Sequence, residues 1–284
     1  MLILSCPSKL QLLEGVLRRS LPQTLTVYGA VMHINRGNPA QHEVVVDSWP
    51  EFKVVLTRPQ KEVVKDNRDF YASLYAAFYW EIDACRSLLE NAKVIDWGKA
   101  FQLQGLQDGL YEVARSTAEA RDVHFEPYYY ETVLHPGPPA HSQSRPRSDF
   151  LHFGTLNSSH AALLNETWST GGNCHSLNYM DSLIRDFPSA CLIDKEGQLA
   201  SWCLSDAAAC LTHTYTLPKY RGQGCMETVV QATARKLYAN GFPIYGGVLR
   251  DNNPSRQSLK RQGFHFLPWT HYVIFVKPAI RYKE

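Results

Sequence analysis

The stretch that decides the fold is TLPKYRGQGCM, residues 216–226. Before it runs a strand-like segment, about Ala208 to Thr216, stopped by Pro218. After it begins a helical segment, around Gly224, whose apolar positions Met226, Val229, Val230, Ala234 and Leu237 keep the 3.6-residue period. Arg235 and Lys236 fall in the last turn, and Asn240-Gly241 with Pro243 closes it. A glycine-rich turn that opens a helix is an anion site. Its backbone N–H groups have no intrahelical partner, and the helix dipole favours negative charge there. Gly222 and Gly224 let the backbone curl around and approach a phosphate, and Arg221 adds a fixed positive charge. The stretch is no Walker loop, since no Gly-Lys-Ser/Thr follows. It is no G-x-G-x-x-G either, because Glu227 stands three after Gly224. On these residues alone, a plain glycine-bearing strand-to-helix connection stays open.

Working outward, Ala190 to Ile193 and Leu199 to Leu204 read as strands joined by Asp194-Lys-Glu-Gly-Gln, a hairpin pattern. Ile244 to Leu249 is a strand. Asn253 caps a short helix with Pro254 at its first position, and Gly263 ends it. Phe264 to Leu267 and Tyr272 to Val276 finish the sheet. Upstream, HPGPPAHSQSRPRSD (135–149) carries four prolines and reads as a Pro/Ser-rich linker. It separates a first domain, 1–134, from a second, 150–284. In the first, Leu25 to Tyr28, Glu43 to Asp47 and Phe52 to Thr57 look like strands. Asp69 to Glu90 and Ala100 to Ala120 look helical, and Val123 to Val133 is strand-like. The fold class expected is α+β.

The chain of 284 residues has a net charge of +2 and 44% hydrophobic residues, so a core forms and no basic excess announces a nucleic acid. No apolar run approaches the ~18 residues of a membrane span. Seven cysteines occur without a Cys-x-x-Cys pair, which suits neither a disulfide framework nor a zinc site. The histidines show no metal-ligand spacing, and no metal is expected. Leu10, Leu13, Leu17 and Leu21 share one helical face near a weakly cationic start, which reads as structure first and an import sequence second.

Arg221-x-x-Gly224 after Thr216-Leu-Pro resembles the coenzyme A pyrophosphate loop of the Gcn5-related N-acetyltransferase superfamily. Asp251-Asn-Asn-Pro-Ser followed by Gly263-Phe264 resembles that superfamily's next motif. LRRSLPQTLTVYGAVMHINRGNP (17–39), DSWPEFKVVLTRPQ (47–60), TWSTGGN (167–173) and FPSACLIDKEGQLASW (187–202) are similar to the glycine N-acyltransferase-like family. The resemblance implies two tandem acetyltransferase-like domains, the second carrying the acyl-CoA loop. It implies an acyltransferase that moves an acyl group from acyl-CoA to glycine or another small amino acid such as glutamine. It also implies acyl-CoA as co-substrate with no permanently bound cofactor, a monomer, and mitochondrial residence, with the cytoplasm or the surface of the endoplasmic reticulum as alternatives. The expected acyl-CoA residues are Thr216, Leu217, Arg221, Gly222, Gln223, Gly224, Cys225, Met226 and Asn252. Backbone N–H groups near Thr216 and Leu217 are the expected donors to the thioester carbonyl.

The sequence departs from that pattern at the base. The family's glutamate, six residues before the Thr of Thr-Leu-Pro, corresponds to Cys210, and no carboxylate lies between Ala207 and Thr216. His213 is the alternative base, although strand alternation puts it opposite Cys210. Leu259 stands where many acetyltransferases keep a tyrosine acid. These departures leave two further readings: an acyl-CoA-binding protein with little turnover, and an acetyltransferase of another amine. Restoring the acid, Cys210→Glu, is expected to raise turnover. Arg250, Arg185 and Arg256 are rivals for an acceptor carboxylate. Trp168 and Gly171-Gly172-Asn173 either shape an acyl tunnel or pack a helix.

Overall fold

The computed structural model describes residues 1–139 and 150–278. Residues 140–149, most of the expected linker, lie outside the described residues. The fold is mixed α and β, as expected, and the chain divides into two units.

Among the described residues the first unit comprises Met1–Tyr130 and Trp269–Pro278. Its elements are β1 (Leu2–Leu4), α1 (Pro7–Arg19), α2 (Leu25–Asn35), β2 (His42–Val46), β3 (Val54–Pro59), β4 (Leu74–Tyr79), α3 (Ile82–Leu89), β5 (Phe101–Gly105), α4 (Asp108–Ala120) and the first part of β6 (His124–His135). The strands β1 to β4 pair antiparallel in order, and β4 and β5 pair parallel. Beside β5 lies not the next strand of the chain but Tyr272–Val276, antiparallel.

The second unit is Glu131–Pro268. It holds β7 (His152–Gly154), α5 (Ala161–Thr167), α6 (Cys174–Asp186), β8 (Ser189–Ile193), β9 (Leu199–Ser205), β10 (Cys210–Thr216), α7 (Cys225–Ala239), β11 (Ile244–Val248), α8 (Asn253–Arg261) and the start of β12 (His265–Lys277). Here β7 to β10 pair antiparallel in order and β10 and β11 pair parallel. Beside β11 lies Glu131–His135 of β6, antiparallel. The two units therefore repeat one order of elements, and each closes its sheet with the last strand of the other's repeat. Within the described residues the division falls after Tyr130, inside β6, and after Pro268, inside β12. The register of β6 on β11 and of β12 on β5 sends each strand across it.

Three expectations in the first unit change. Leu25 to Tyr28 is the start of α2, whose residues Leu25 to His33 are all buried. A helix apolar on every side offers a strand-like run of Val and Tyr. Asp69 to Glu90 is not one helix but β4 followed by α3, and Ala100 to Ala120 is β5 followed by α4. All five residues of β5 are buried, as are four of the six in β4, so neither strand alternates and periodicity cannot separate it from a helix. In α1, Leu10, Leu13 and Leu17 are buried, so this face packs as read.

Candidate active site

Two features of the second unit open its sheet. The parallel pairing of β10 with β11 lasts only from Cys210 opposite Tyr245 to Leu211 opposite Gly246. Beyond that point β11 stays on β6 as far as Val248, and β10 leaves it. On its other edge β10 shifts register against β9 between Thr212 and Tyr215, one residue more than β9 uses from Leu204 to Trp202. This bulge carries His213 at φ +49, left-handed for a non-glycine residue. Alternation no longer assigns faces across it, which removes the expectation that His213 lies opposite Cys210. Its ring packs edge-on against Trp168 (4.4 Å between centroids) and near Tyr179 (5.9 Å). Tyr215 stacks on Trp202 (5.4 Å), in the core under α5 and α6.

The end of β10 has a defined hydrogen-bond sense. The Leu217 N–H donates to the Ala200 carbonyl at 3.0 Å. Leu217 is thus committed to β9 and is not a free donor. Successive N–H groups of a strand alternate in direction, so that of Thr216 turns to the side β11 has vacated. The Thr216 carbonyl on that side accepts from Arg221 Nε at 3.1 Å, and Thr216 Oγ1 meets Ser201 Oγ at 2.8 Å. A short 3-10 turn, Pro218–Tyr220, follows. The Tyr220 hydroxyl donates to Asp194 in the β8–β9 hairpin, which also accepts from the Gln198 N–H, and together these hold its carboxyl below the usual range. The loop is thereby tied to the sheet at its root.

Gly222 and Gly224 sit at φ +76 and +79, and Gly224 is the N-cap of α7. A Cβ added at either meets nothing within 4 Å. The backbone conformation, rather than crowding by the protein, demands glycine here. The buried side of α7 is Val229, Val230, Ala234 and Leu237, each valine or leucine worth ~1.5–3 kcal/mol of burial. Met226 instead turns toward an open cleft of about 900 Å³. Of the expected residues, Thr216, Arg221, Gly222, Gly224, Cys225, Met226 and Asn252 line this cleft, and Leu217 and Gln223 do not. The Leu217 side chain packs on the core, and Gln223 reaches back to the Lys219 carbonyl at 3.4 Å. Asn252, not Asn253, caps α8 by accepting from the Ser255 N–H at 3.2 Å.

Neither candidate base lines the cleft. Cys210 is 4% exposed, and burial, with Asp206 and Cys203 nearby, pushes its thiol well above its ordinary value. Burial pushes His213 down to about 3, so its imidazole is neutral. Of the three arginines, Arg256 grips Glu131 with two hydrogen bonds (2.6 and 3.2 Å) and Arg185 pairs with Asp181 and Asp186. Arg250 makes no ion pair among the described residues. The turn between α5 and α6 is packing. Asn165 Oδ1 accepts from the Gly172 N–H (3.0 Å) and Ser176 Oγ (2.6 Å). A Cβ on Gly171 would sit 2.7 Å from the Asn165 carbonyl and 3.0 Å from the Trp168 ring.

Sequence reasoning missed Tyr215, Tyr220, Glu227 and Arg261 of the cleft wall. Tyr220 lies inside the motif and Tyr215 and Glu227 directly flank it, so counting outward from the loop reaches all three, whereas Arg261 comes from α8. No described cluster of three or more His, Cys, Asp or Glu could hold a metal, and no described helix is long and apolar enough to cross a membrane.

A family model described as aralkyl acyl-CoA:amino acid N-acyltransferase matches residues 1–188, and one for its C-terminal region matches 190–274. The chain belongs to this family of acyl-CoA-dependent amino-acid N-acyltransferases. Among curated relatives, human glycine N-acyltransferase-like protein 2 is 35% identical, over 94% of this chain and 95% of its own. Glycine N-acyltransferase of Bos taurus is 32% identical, over 92% of both. A Drosophila protein of known crystal structure shares the fold at a TM-score of 0.75 and 17% identity, over 98% of each chain. A tandem acetyltransferase-type protein of clavulanic acid biosynthesis gives 0.50 and 12%, over 99% of each.

Proposed function

We propose that the protein transfers an acyl group from acyl-CoA to the amino group of glycine, and that the cleft of the second unit holds the CoA. The observation that carries this is one continuous arrangement. The loop Arg221–Met226 faces a cleft that reaches the strand end where Thr216 turns its N–H outward. The loop N–H groups and the α7 N-terminus take the pyrophosphate. The Thr216 N–H receives the thioester carbonyl as charge develops on it. Arg250, at the end of the strand that β10 leaves, takes the acceptor carboxylate.

In the reaction the amine nitrogen bonds to the carbonyl carbon and the carbon–sulfur bond breaks. The ammonium loses one proton to solvent before attack. The nitrogen loses a second after it, and the departing thiolate takes up one. Cys210 holds its own proton, and a neutral His213 of such low basicity holds none, so water accepts the first. A chain without a resident base is slower by ~10²–10⁴ than one with it. Mitochondrial residence and a monomeric state belong to the same reading and rest on the family.

The test incubates the purified protein with phenylacetyl-CoA and either glycine or glutamine, following thiol release and the N-acyl product by mass. Glycine-dependent thiol release with matching N-acylglycine is expected. Tight CoA binding without product favours the binding-protein reading.

A further inference from the structure

The imidazole of His213 has a setting that the acyl-CoA cleft does not explain. It sits on the bulge at a left-handed φ of +49, a conformation that costs a side-chain-bearing residue ~1–3 kcal/mol. Surrounding structure holds it there. Trp168 meets the ring edge-on at 4.4 Å, and Trp168 is itself held by the α5–α6 turn, where Gly171 leaves no room for a Cβ against the Trp168 ring. Tyr179 of α6 closes on the ring at 5.9 Å. Yet the ring is half-buried and neither of its nitrogens has a hydrogen-bond partner among the described residues. A ring fixed on its faces and edges, with both polar atoms left without a protein partner, offers them to a ligand.

Its position says what. The residues next in sequence, Thr214, Tyr215 and Thr216, line the cleft that runs to the α7 N-terminus. His213 packs instead on α5 and α6. A thioester bound at the Thr216 N–H would lie a short way along β10 from His213, whose ring packs on α5 and α6 and not on the CoA loop. The remaining reactant is an amino acid with a primary amine.

We infer that His213 receives the acceptor amine, its unprotonated ring nitrogen accepting an N–H and so aiming the nitrogen lone pair at the thioester carbon. This is a positioning role, and it rests on the N-acyltransferase reading above. A neutral imidazole suits it, since a protonated ring has no acceptor atom and repels an ammonium.

The test measures kcat/KM for glycine at saturating phenylacetyl-CoA, with the dissociation constant of CoA measured separately. His213→Phe keeps an aromatic ring and removes the nitrogens. His213→Gly relieves the left-handed backbone and removes the ring, so it folds even where the phenylalanine variant does not. Both are expected to lower kcat/KM for glycine at least tenfold and leave CoA binding within twofold. His213→Asn tolerates this backbone region and returns a polar group. It is expected to recover a good part of the loss, which a merely structural role would not allow. Unchanged glycine kinetics in the Phe and Gly variants, or an equal loss of CoA affinity, overturns the role. Absence of glycine-dependent turnover in the wild type overturns the reading of function itself and this role with it. Turnover that the variants leave untouched overturns only His213.

Discussion

Gln107 holds both backbone polar groups of Tyr79: its Oε1 accepts from the Tyr79 N–H at 2.9 Å and its Nε2 donates to the Tyr79 carbonyl at 2.8 Å. Tyr79 ends β4, the strand that in the first unit corresponds to β10. Gln107 is the N-cap residue of α4, as Asn252 is of α8, but it makes no capping bond. It spans the opening between β4 and β5 and satisfies the strand edge that a bound chain would pair with. The connection from β4 to α3 is only Trp80-Glu81, with no glycine loop and with a carboxylate at the helix N-terminus. The strand edge left free at Thr216 in the second unit is thus taken by Gln107 in the first, where a smaller cleft of about 490 Å³ lies beside Tyr79, Trp80 and Gln107 without a glycine loop.

One acyl-CoA site per chain is the expected consequence. Titration calorimetry with CoA should give a stoichiometry of one, and the double variant Gly222→Val, Gly224→Val should abolish the heat. A stoichiometry of two, or half the binding surviving in the double variant, would show the first unit open.

The loop glycines separate two kinds of cost. Alanine at Gly222 or Gly224 meets no protein atom but is forced to a positive φ, at ~1–2 kcal/mol. Valine adds bulk toward the cleft, where the phosphate must approach. The KM for acyl-CoA should therefore rise several-fold with alanine and more steeply with valine, while the KM for glycine hardly moves. Steady-state kinetics that are indifferent to both residues would put the phosphates elsewhere.

How legible this was depended on how local each feature is. The loop at 216–226 was readable because all its parts lie within eleven residues. The bulge at His213 leaves no mark, since no glycine or proline stands there to announce a left-handed residue. Gln107 is equally silent: its partner is 28 residues away and bonds through backbone alone. The exchange of last strands between the units is register, and hydrophobic patterning reads the same whichever sheet a strand joins. In α2, burial on all sides erases the period that distinguishes helix from strand.

Cys210→Glu carries two opposed expectations. The site is 4% exposed and beside Asp206, so a carboxylate there pays for desolvation and like charge, and the melting temperature should fall. The same environment raises its pKa toward neutrality, which suits a general base, and Cys210 is only one residue before the strands part. Turnover at pH 7 should rise at least tenfold in the folded variant. A folded variant with unchanged turnover would mean that this position does not face the reacting amine.

The wild type should show a plain pH profile. Burial pushes His213 down to about 3 and Cys210 well above its ordinary value, so neither changes charge between pH 6 and 8.5. The logarithm of kcat/KM for glycine should rise with unit slope toward the pKa of the acceptor's own amine. A plateau or bend near pH 7 would reveal a protein base outside both residues.

Stability should respond to acid through two buried histidines of the first unit. His42 is 5% exposed with Nδ1 unpartnered, and His271 is 3% exposed with Nδ1 unpartnered and Nε2 at 3.4 Å from Gln104 Oε1. Burial lowers each from about 6.5 to about 4, because neither site can solvate the charged ring. Above pH 6.5 both rings are neutral in the folded and unfolded chain, and they add no pH dependence. Between 6.5 and 4 the unfolded chain binds protons at these two histidines, and at His213 of the second unit, that the folded chain refuses, so stability falls as pH falls. The slope approaches ~1.4 kcal/mol per pH unit for each histidine. Below about 4 the folded rings protonate as well and the loss levels off. Thermal melts from pH 7.5 to 4.5 should show this descent. His42→Gln and His271→Gln should each remove about a third of it, the rest belonging to His213, whatever they do to the melting temperature at pH 7.5. An acid slope that both variants leave intact would assign the loss to other groups.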